Sequence, residues 1–228
     1  MGPFYFLSLL LFTMVSEISS FSPSNKSHFD LVVIGGGSAG LTAADFATKF
    51  GFTSVIIERD KIGGDCTWSG CIPSKTLLSI AKKAHAVRTA ENYGIRLNGD
   101  MEVDMGAVRE RIRQTVRTVY EEESPAALKE RAGIDTLLGE AQILSPTTLS
   151  VGGEVITAAR GIVICTGAAP APPDLEGIDA VEYLTNENVF EMDVLPKKMT
   201  IVGGGPIGCE MAQAFSRLGS DVTLVALK

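Results

Sequence analysis

The feature that most constrains this chain is a pattern that occurs twice. "FDLVVIGGGSAG" opens at Phe29 and runs into "LTAADFATKFG"; "KKMTIVGGGPIGCEMAQAFSRLGSDVTLV" opens at Lys197. In each, an apolar β-branched run breaks into glycines and then into helical composition. A second apolar run follows, "TSVIIERD" in the first copy and "DVTLV" in the second. Strand, tight turn, helix, strand is a βαβ unit, and near-continuous Val/Ile runs mark parallel strands buried on both faces. The fold class is therefore α/β.

Within the first copy Gly35, Gly37 and Gly40 fit G-x-G-x-x-G. The first glycine lets the chain turn, the second lets a pyrophosphate approach the backbone, and the third lets helix and strand pack closely, with the helix N-terminus facing the phosphates. Glu58 closes the second strand, where a carboxylate accepts hydrogen bonds from a ribose diol. Gly203, Gly205 and Gly208 repeat the pattern, which implies a second dinucleotide. Ala226 takes the acidic position there and Leu227 the place where an arginine for a 2′-phosphate would be looked for. Both NAD and NADP stay open as the second ligand, with a lean to NADP.

Over its whole length the chain has 45% apolar and 21% charged residues, as a globular protein does. A formal net charge of −7 with no Lys/Arg run argues against nucleic acid as a partner. Helical spacing covers Ser74 to about Asn92 and Asp104 to about Ala132, the latter interrupted at Ser124-Pro125; the two predict a helical hairpin. Alternation and turn residues from Asp135 to Gly167 predict short strands with one β-meander. "PAPPDLEG", Pro170 to Gly177, marks a domain boundary.

"FYFLSLLLFTMV", Phe4 to Val15, is shorter than the roughly 20 apolar residues a bilayer span needs, and the small, polar "SEISSFSPS" follows it. Residues 1–20 read as a cleavable targeting segment, cut among Ser19, Ser20 and Phe21, with a misassigned gene start as the alternative. The chain is expected to enter the secretory pathway or an organelle, a plastid included, and not to span a membrane.

"GGDCTWSGCIPSK", Gly63 to Lys75, carries the chemistry. Four cysteines, Cys66, Cys71, Cys165 and Cys209, do not form the paired half-sites of a zinc centre, and no metal ligand set is assigned. Cys66 and Cys71 would stand about 140° apart on a regular helix, so a bridge between them needs a broken or distorted backbone. Gly63, Gly64 and Gly70 supply that freedom, and Pro73 favours an early helical position. If the helix has begun by Cys71, Lys75 rises on the same face; the ammonium and the helix N-terminus then both favour a thiolate. An ordinary disulfide of an exported protein is the competing reading, and the glycines and the lysine weigh against it.

These residues resemble the class I pyridine nucleotide-disulfide oxidoreductases, flavoenzymes such as dihydrolipoamide dehydrogenase, glutathione reductase and mercuric reductase. Their pattern GG-x-C-x4-C-x-PSK is met by Gly63, Gly64, Cys66, Cys71, Pro73, Ser74 and Lys75. "GGDCTWSGC" and the later "ESPAALKERAG" look most like the mercuric-reductase-like branch. The resemblance implies a three-layer Rossmann-like FAD-binding domain, parallel sheet plus β-meander, over 29–177, incomplete here. The start of a second Rossmann-like domain for NAD(P) would follow over 178–228.

It further implies that Gly35, Gly37, Gly40, Glu58, Gly64, Thr166 and Gly167 line FAD, and that Gly203, Gly205 and Gly208 hold the nicotinamide nucleotide. Cys71 would be the thiol on the flavin side and Cys66 the one that exchanges with substrate. Lys75 would sit near the flavin and pair with Glu210. Pro206 stands where some members have a gating tyrosine. The implied reaction passes a hydride from NAD(P)H to FAD, then reduces a Cys66–Cys71 disulfide, then exchanges with a small disulfide or metal-ion substrate. Members are normally homodimers with a His-Glu base, for which neither His28 nor His85 is a candidate. The chain is accordingly expected to be a C-terminally shortened member, with a non-catalytic flavin-binding fragment as the alternative.

Overall fold

The structure, a computed structural model, describes residues 27–96, 98–99, 101–171 and 174–226. Residues 1–20, for which a targeting role is expected, and Leu227 and Lys228 lie outside the described residues. Among the described residues no helix is long and apolar enough to cross a membrane.

The first copy of the repeat folds as read. β1 (His28–Ile34) and β2 (Ser54–Glu58) run parallel on either side of α1 (Ser38–Lys49) in sequence. Val32, Val33, Val55, Ile56 and Ile57 are all essentially inaccessible, the burial that two covered faces demand. Alternate residues serve alternate faces: Val33 and Ile56 pack with Ala44 of α1, whereas Val32, Val55 and Ile57 pack toward Leu149, Val151 and Ile156.

β3 (Asp135–Leu138) adds to β2 as a parallel edge. β4 (Ala141–Ser145), β5 (Thr148–Val151) and the long β6 (Glu154–Ile164) form the antiparallel meander. The second half of β6 then pairs parallel with β1, so the sheet order is β3-β2-β1-β6-β5-β4. The meander thus covers one face of the parallel strands and helices cover the other, which is the three-layer arrangement the sequence predicts.

The cysteine segment breaks into two helices. α2 (Gly64–Trp68) is a short one that spacing alone does not reveal, and α3 (Cys71–Arg88) starts earlier than the helical pattern from Ser74 suggests. α4 (Met105–Glu123) and α5 (Pro125–Ala132) are separated at Ser124, as the Ser-Pro pair requires. Each opens on a side-chain cap: Asp104 accepts from the Ala107 N–H at 3.0 Å and Ser124 from the Ala127 N–H at 3.3 Å.

The second copy gives β7 (Lys198–Val202), α6 (Pro206–Leu218) and β8 (Asp221–Val225), with β7 and β8 parallel in a sheet of their own. What joins it to the first is a shared core. Leu77 and Ala81 of α3, Val108, Ile112 and Val116 of α4, and Met211, Ala214, Phe215 and Leu218 of α6 form one cluster. Arg88, at the end of α3, donates to the carbonyls of Arg217 and Leu218 and so satisfies the last turn of α6.

Phe215 is 1% exposed at the centre of this cluster. Phe215→Ala is expected to lower unfolding free energy by about 3–5 kcal/mol, read from urea denaturation, because an aromatic side chain is lost and a cavity left. A loss under about 1 kcal/mol would mean that α3, α4 and α6 do not share a packed core.

Candidate functional site

The chemistry-bearing residues collect at the carboxyl ends of the parallel strands, where open α/β sheets bind ligands. At the end of β1 the chain turns through Gly35 and Gly36 into α1, whose N-cap is Gly37 with no capping side chain. A Cβ on Gly40 would overlap the Gly35 carbonyl oxygen, and one on Gly35 would overlap the Cys165 carbonyl. These glycines let helix, turn and the chain leaving β6 pack on one another.

Glu58, at the end of β2, accepts the Gly36 N–H at 2.7 Å on one carboxylate oxygen and the Asp60 N–H at 2.9 Å on the other. A carboxylate has about four acceptor positions, so two remain for the hydroxyls of a ribose diol. Cys165 donates its N–H to the Ile34 carbonyl at 2.7 Å, which lays Thr166 and Gly167 alongside the Gly35 turn. Uncapped helix N-terminus, carboxylate with spare acceptors and side-chain-free turn together fit an adenine dinucleotide.

Gly37 has a second function that the spacing does not disclose. The Gly63 N–H donates to the Gly36 carbonyl at 2.8 Å, Gly37 and Gly63 pair as an isolated parallel bridge, and a Cβ on Gly64 would come within 2.7 Å of the Gly37 Cα. Gly63 and Gly64 also take φ of 106° and 58°, values that exact a cost from any side chain. The cysteine segment is thereby set directly against the dinucleotide turn.

From there α2 carries Cys66 and α3 begins at Cys71. The five-residue spacing is met by a break at Ser69-Gly70, where a Cβ on Gly70 would come within 2.7 Å of the Asp65 carbonyl oxygen. Cys66 is half-buried and Cys71 exposed, and both are thiols in this structure. The neighbouring Cys66 side chain, as a hydrogen-bond partner, pushes the Cys71 thiol above its ordinary range; partial desolvation and charge on Cys66 act in the same direction. The Lys75 ammonium pulls Cys71 down but is outweighed. Lys75 therefore acts in the expected direction, toward a thiolate, while in the dithiol the neighbouring sulfur acts against it.

Lys75, one turn on, reaches the second copy. Its Nζ donates to both carboxylate oxygens of Glu210 at 2.8 Å. Glu210 lies near the start of α6, which opens at Pro206 behind Gly203, Gly204 and Gly205. The second turn reproduces the first: a Cβ on Gly208 would overlap the Gly203 carbonyl, and the Gly203 N–H donates to Val225 at 2.8 Å as Gly35 does to Ile57 at 2.8 Å. They differ at the end of the second strand, where Ala226 presents only a methyl and Glu58 a carboxylate; a Cβ on Gly204 would lie 3.1 Å from that methyl.

Sequence reading missed the residues that hold α2 down. Thr67 donates to Glu123 at 2.7 Å, Trp68 donates its indole N–H to the Ile62 carbonyl at 2.8 Å, and the Trp68 and Tyr120 rings meet at 5.1 Å. A signal was present: the inward stripe of α4, Met105, Val108, Ile112 and Val116, continues by helical spacing to Tyr120 and Glu123.

Because Cys66 supplies the largest upward influence on Cys71, Cys66→Ala is expected to lower the pH at which Cys71 becomes reactive, and Lys75→Met to raise it. The measurement is iodoacetamide labelling of Cys71 against pH, followed by peptide mass spectrometry. A Cys66→Ala profile at or above that of the parent chain would contradict the pairing.

Comparison with known proteins agrees with this geometry. The family described as pyridine nucleotide-disulphide oxidoreductase matches residues 29–228. A mercuric reductase of Lysinibacillus sphaericus is 33% identical over 213 residues, 92% of this chain and 38% of the relative. A dihydrolipoyl dehydrogenase of Mycoplasma pneumoniae is 35% identical over 202 residues, 87% of this chain and 44% of the relative. The Cu(II) complex of the HOCl-induced flavoprotein disulfide reductase RclA from Escherichia coli superimposes with a TM-score of 0.68 at 28% identity, covering 86% of this chain and 41% of that one. The chain thus spans about two fifths of the length of the relatives it matches. Relatives of both reductase and dehydrogenase name occur at similar identity, and the family works with FAD and a nicotinamide nucleotide. With the match running from the first strand of the first βαβ unit through the whole of the second, the chain belongs to the pyridine nucleotide-disulphide oxidoreductases.

Proposed function

We propose that Cys66 and Cys71 form the redox couple of an FAD-dependent NAD(P)H oxidoreductase. The observation that carries this reading is the placement of the two cysteines on either side of the α2–α3 break, against the first glycine turn and one helical turn from the Lys75–Glu210 pair. The first turn, with Glu58, Thr166 and Gly167, would hold FAD; Gly203, Gly205 and Gly208 would hold the nicotinamide nucleotide. A flavin held there would supply the two-electron chemistry that links a reduced nicotinamide to a protein disulfide.

The protein's own groups then account for the remaining steps. Reduction cleaves a Cys66–Cys71 disulfide, which gains two electrons and two protons and becomes a dithiol. In the exchange, the Cys66 sulfur, as thiolate, attacks one sulfur of a substrate disulfide, releasing the first substrate thiol and leaving a mixed disulfide. Cys71 attacks the Cys66 sulfur of that adduct, closes the protein disulfide and releases the second thiol. Lys75 places a positive charge on the face of α3 that carries Cys71, held there by Glu210 rather than free to pair with the thiolate. The resemblance to the family assigns Cys71 to the flavin side and Cys66 to the substrate side, and the face that Cys71 shares with Lys75 supports that assignment.

The substrate is a small disulfide or a thiophilic metal ion, and the reading favours the mercuric-reductase-like branch. Asp65 supports it: an exposed carboxylate next to Cys66 draws cations toward the exchanging thiol and repels anionic disulfides. Ala226 bears on the nucleotide. Without a carboxylate at this position nothing disfavours a 2′-phosphate, and NADPH is the donor we assign.

Three measurements test the reading. Anaerobic NADPH added to the FAD-loaded, oxidised chain should expose two additional thiols in a colorimetric thiol assay, and none in Cys66→Ser or Cys71→Ser; an unchanged count in the parent chain would contradict the redox couple. Glu58→Ala should weaken FAD binding about tenfold or more by fluorescence titration, since it removes hydrogen bonds from a charged acceptor worth about 1.5–3 kcal/mol. Equal affinity would show that Glu58 does not touch the nucleotide. Ala226→Glu should shift binding preference from NADPH toward NADH; no shift would place the 2′ position elsewhere.

A further inference from the structure

The two halves of the dithiol are held unequally. Cys71 opens α3, an eighteen-residue helix packed into the shared core. Cys66 sits in α2, which has only five residues and no capping side chain. A helix of that length does not hold itself together in water, so its orientation is set by what it touches.

It touches the start of α3, the Ile62 carbonyl through the Trp68 indole N–H, and the end of α4. Thr67, the residue after Cys66, is 2% exposed, and its hydroxyl donates to Glu123 Oε2 at 2.7 Å. The same oxygen lies against the turn before α2, where a Cβ on Gly63 would come within 2.9 Å of it. Glu123 therefore braces the segment carrying Cys66 on both sides of the cysteine. The other link to α4, Trp68 against Tyr120 with ring centres 5.1 Å apart, is an apolar contact with broad geometry. A hydroxyl donating to a carboxylate is short and directional, so it fixes rotation where ring packing does not.

We propose that Glu123 is a positioning residue for the redox couple: through Thr67 it sets the rotation of α2 and so aims the Cys66 sulfur at Cys71. The proposal rests on the reading of Cys66 and Cys71 as that couple. Disulfide closure tolerates little misplacement of the two sulfurs. Freeing α2 lowers the effective concentration of one thiol at the other, and the disulfide becomes easier to reduce.

The test is equilibrium with glutathione, in which the protein dithiol and glutathione disulfide give the protein disulfide and two glutathione thiols. The full chain is quenched by alkylation, and the tryptic peptide Ile62–Lys75, which holds both cysteines, is quantified by mass spectrometry. Glu123→Ala and Thr67→Val should each lower the closure constant about five- to tenfold, as loss of one charge-assisted hydrogen bond implies; tenfold corresponds to about 30 mV. Glu123→Gln, whose amide oxygen still accepts, and Thr67→Ser should stay within about twofold of the parent chain, and the double variant should be no worse than either single one.

Parent-like closure in Glu123→Ala and Thr67→Val overturns the positioning role while leaving the redox couple standing. So does a Gln variant no better than Ala. If Glu123→Ala fails to fold by circular dichroism, Thr67→Val, which keeps the side-chain volume, decides between the same two outcomes. A parent chain that never closes the disulfide at any glutathione ratio refutes the redox couple itself, and the positioning role with it.

Discussion

The approach of Gly37 to the Gly63–Gly64 turn is the contact on which the arrangement of the site depends. Two stretches of bare backbone, joined by the Gly63 N–H to the Gly36 carbonyl at 2.8 Å, come close enough that a single methyl on Gly64 would sit 2.7 Å from the Gly37 Cα. Everything downstream is set from that point. α2 leaves it with Cys66, the break under the Asp65 carbonyl returns the chain at Cys71, and α3 carries Lys75 away toward the second βαβ unit. The glycines of a dinucleotide turn are usually explained by the ligand; here one of them is equally explained by the protein, which brings its thiols to the same place.

The second dependency is apolar. Lys75 and Glu210 are geometrically well matched, but their side chains are 60% and 37% exposed, and exposed pairs contribute about 0–1 kcal/mol. They do not hold α3 to α6. Phe215, Leu218, Met211 and Ala214 do, packed with Leu77 and Ala81 and extended by α4. Arg88 adds a directional link at the far end of both helices by satisfying carbonyls of Arg217 and Leu218 that the end of α6 leaves unpaired. The ion pair's contribution is to the placement of charge: it keeps an ammonium one turn from Cys71 without letting it dominate that thiol.

What could be read from the sequence was whatever is encoded in backbone geometry over short distances. Both glycine turns, the buried parallel strands around Val32 and Ile56, the Ser124 break and the meander all follow from local patterns. The Lys75–Glu210 contact was legible only through the resemblance to the family, because no spacing rule connects residues on α3 and α6. Glu123 and Thr67 were not read, since a five-residue helix has no period and the hydrogen bond joins distant stretches of chain. The influence of Cys66 on the Cys71 thiol was not read for the same reason. Helical spacing sees only α3, whereas the decisive neighbour, Cys66, arrives on α2.

The central claim is that Cys71 faces the flavin while Cys66 faces the substrate, and optical spectroscopy addresses it most directly. In the FAD-loaded chain reduced by two electrons, a thiolate against oxidised flavin gives a long-wavelength absorbance band. The account predicts that the band appears in the two-electron-reduced parent chain and, without reductant, in Cys66→Ser, which has no disulfide to accept electrons and keeps its flavin oxidised, and that it is lost in Cys71→Ser. A band that survives in Cys71→Ser would contradict it.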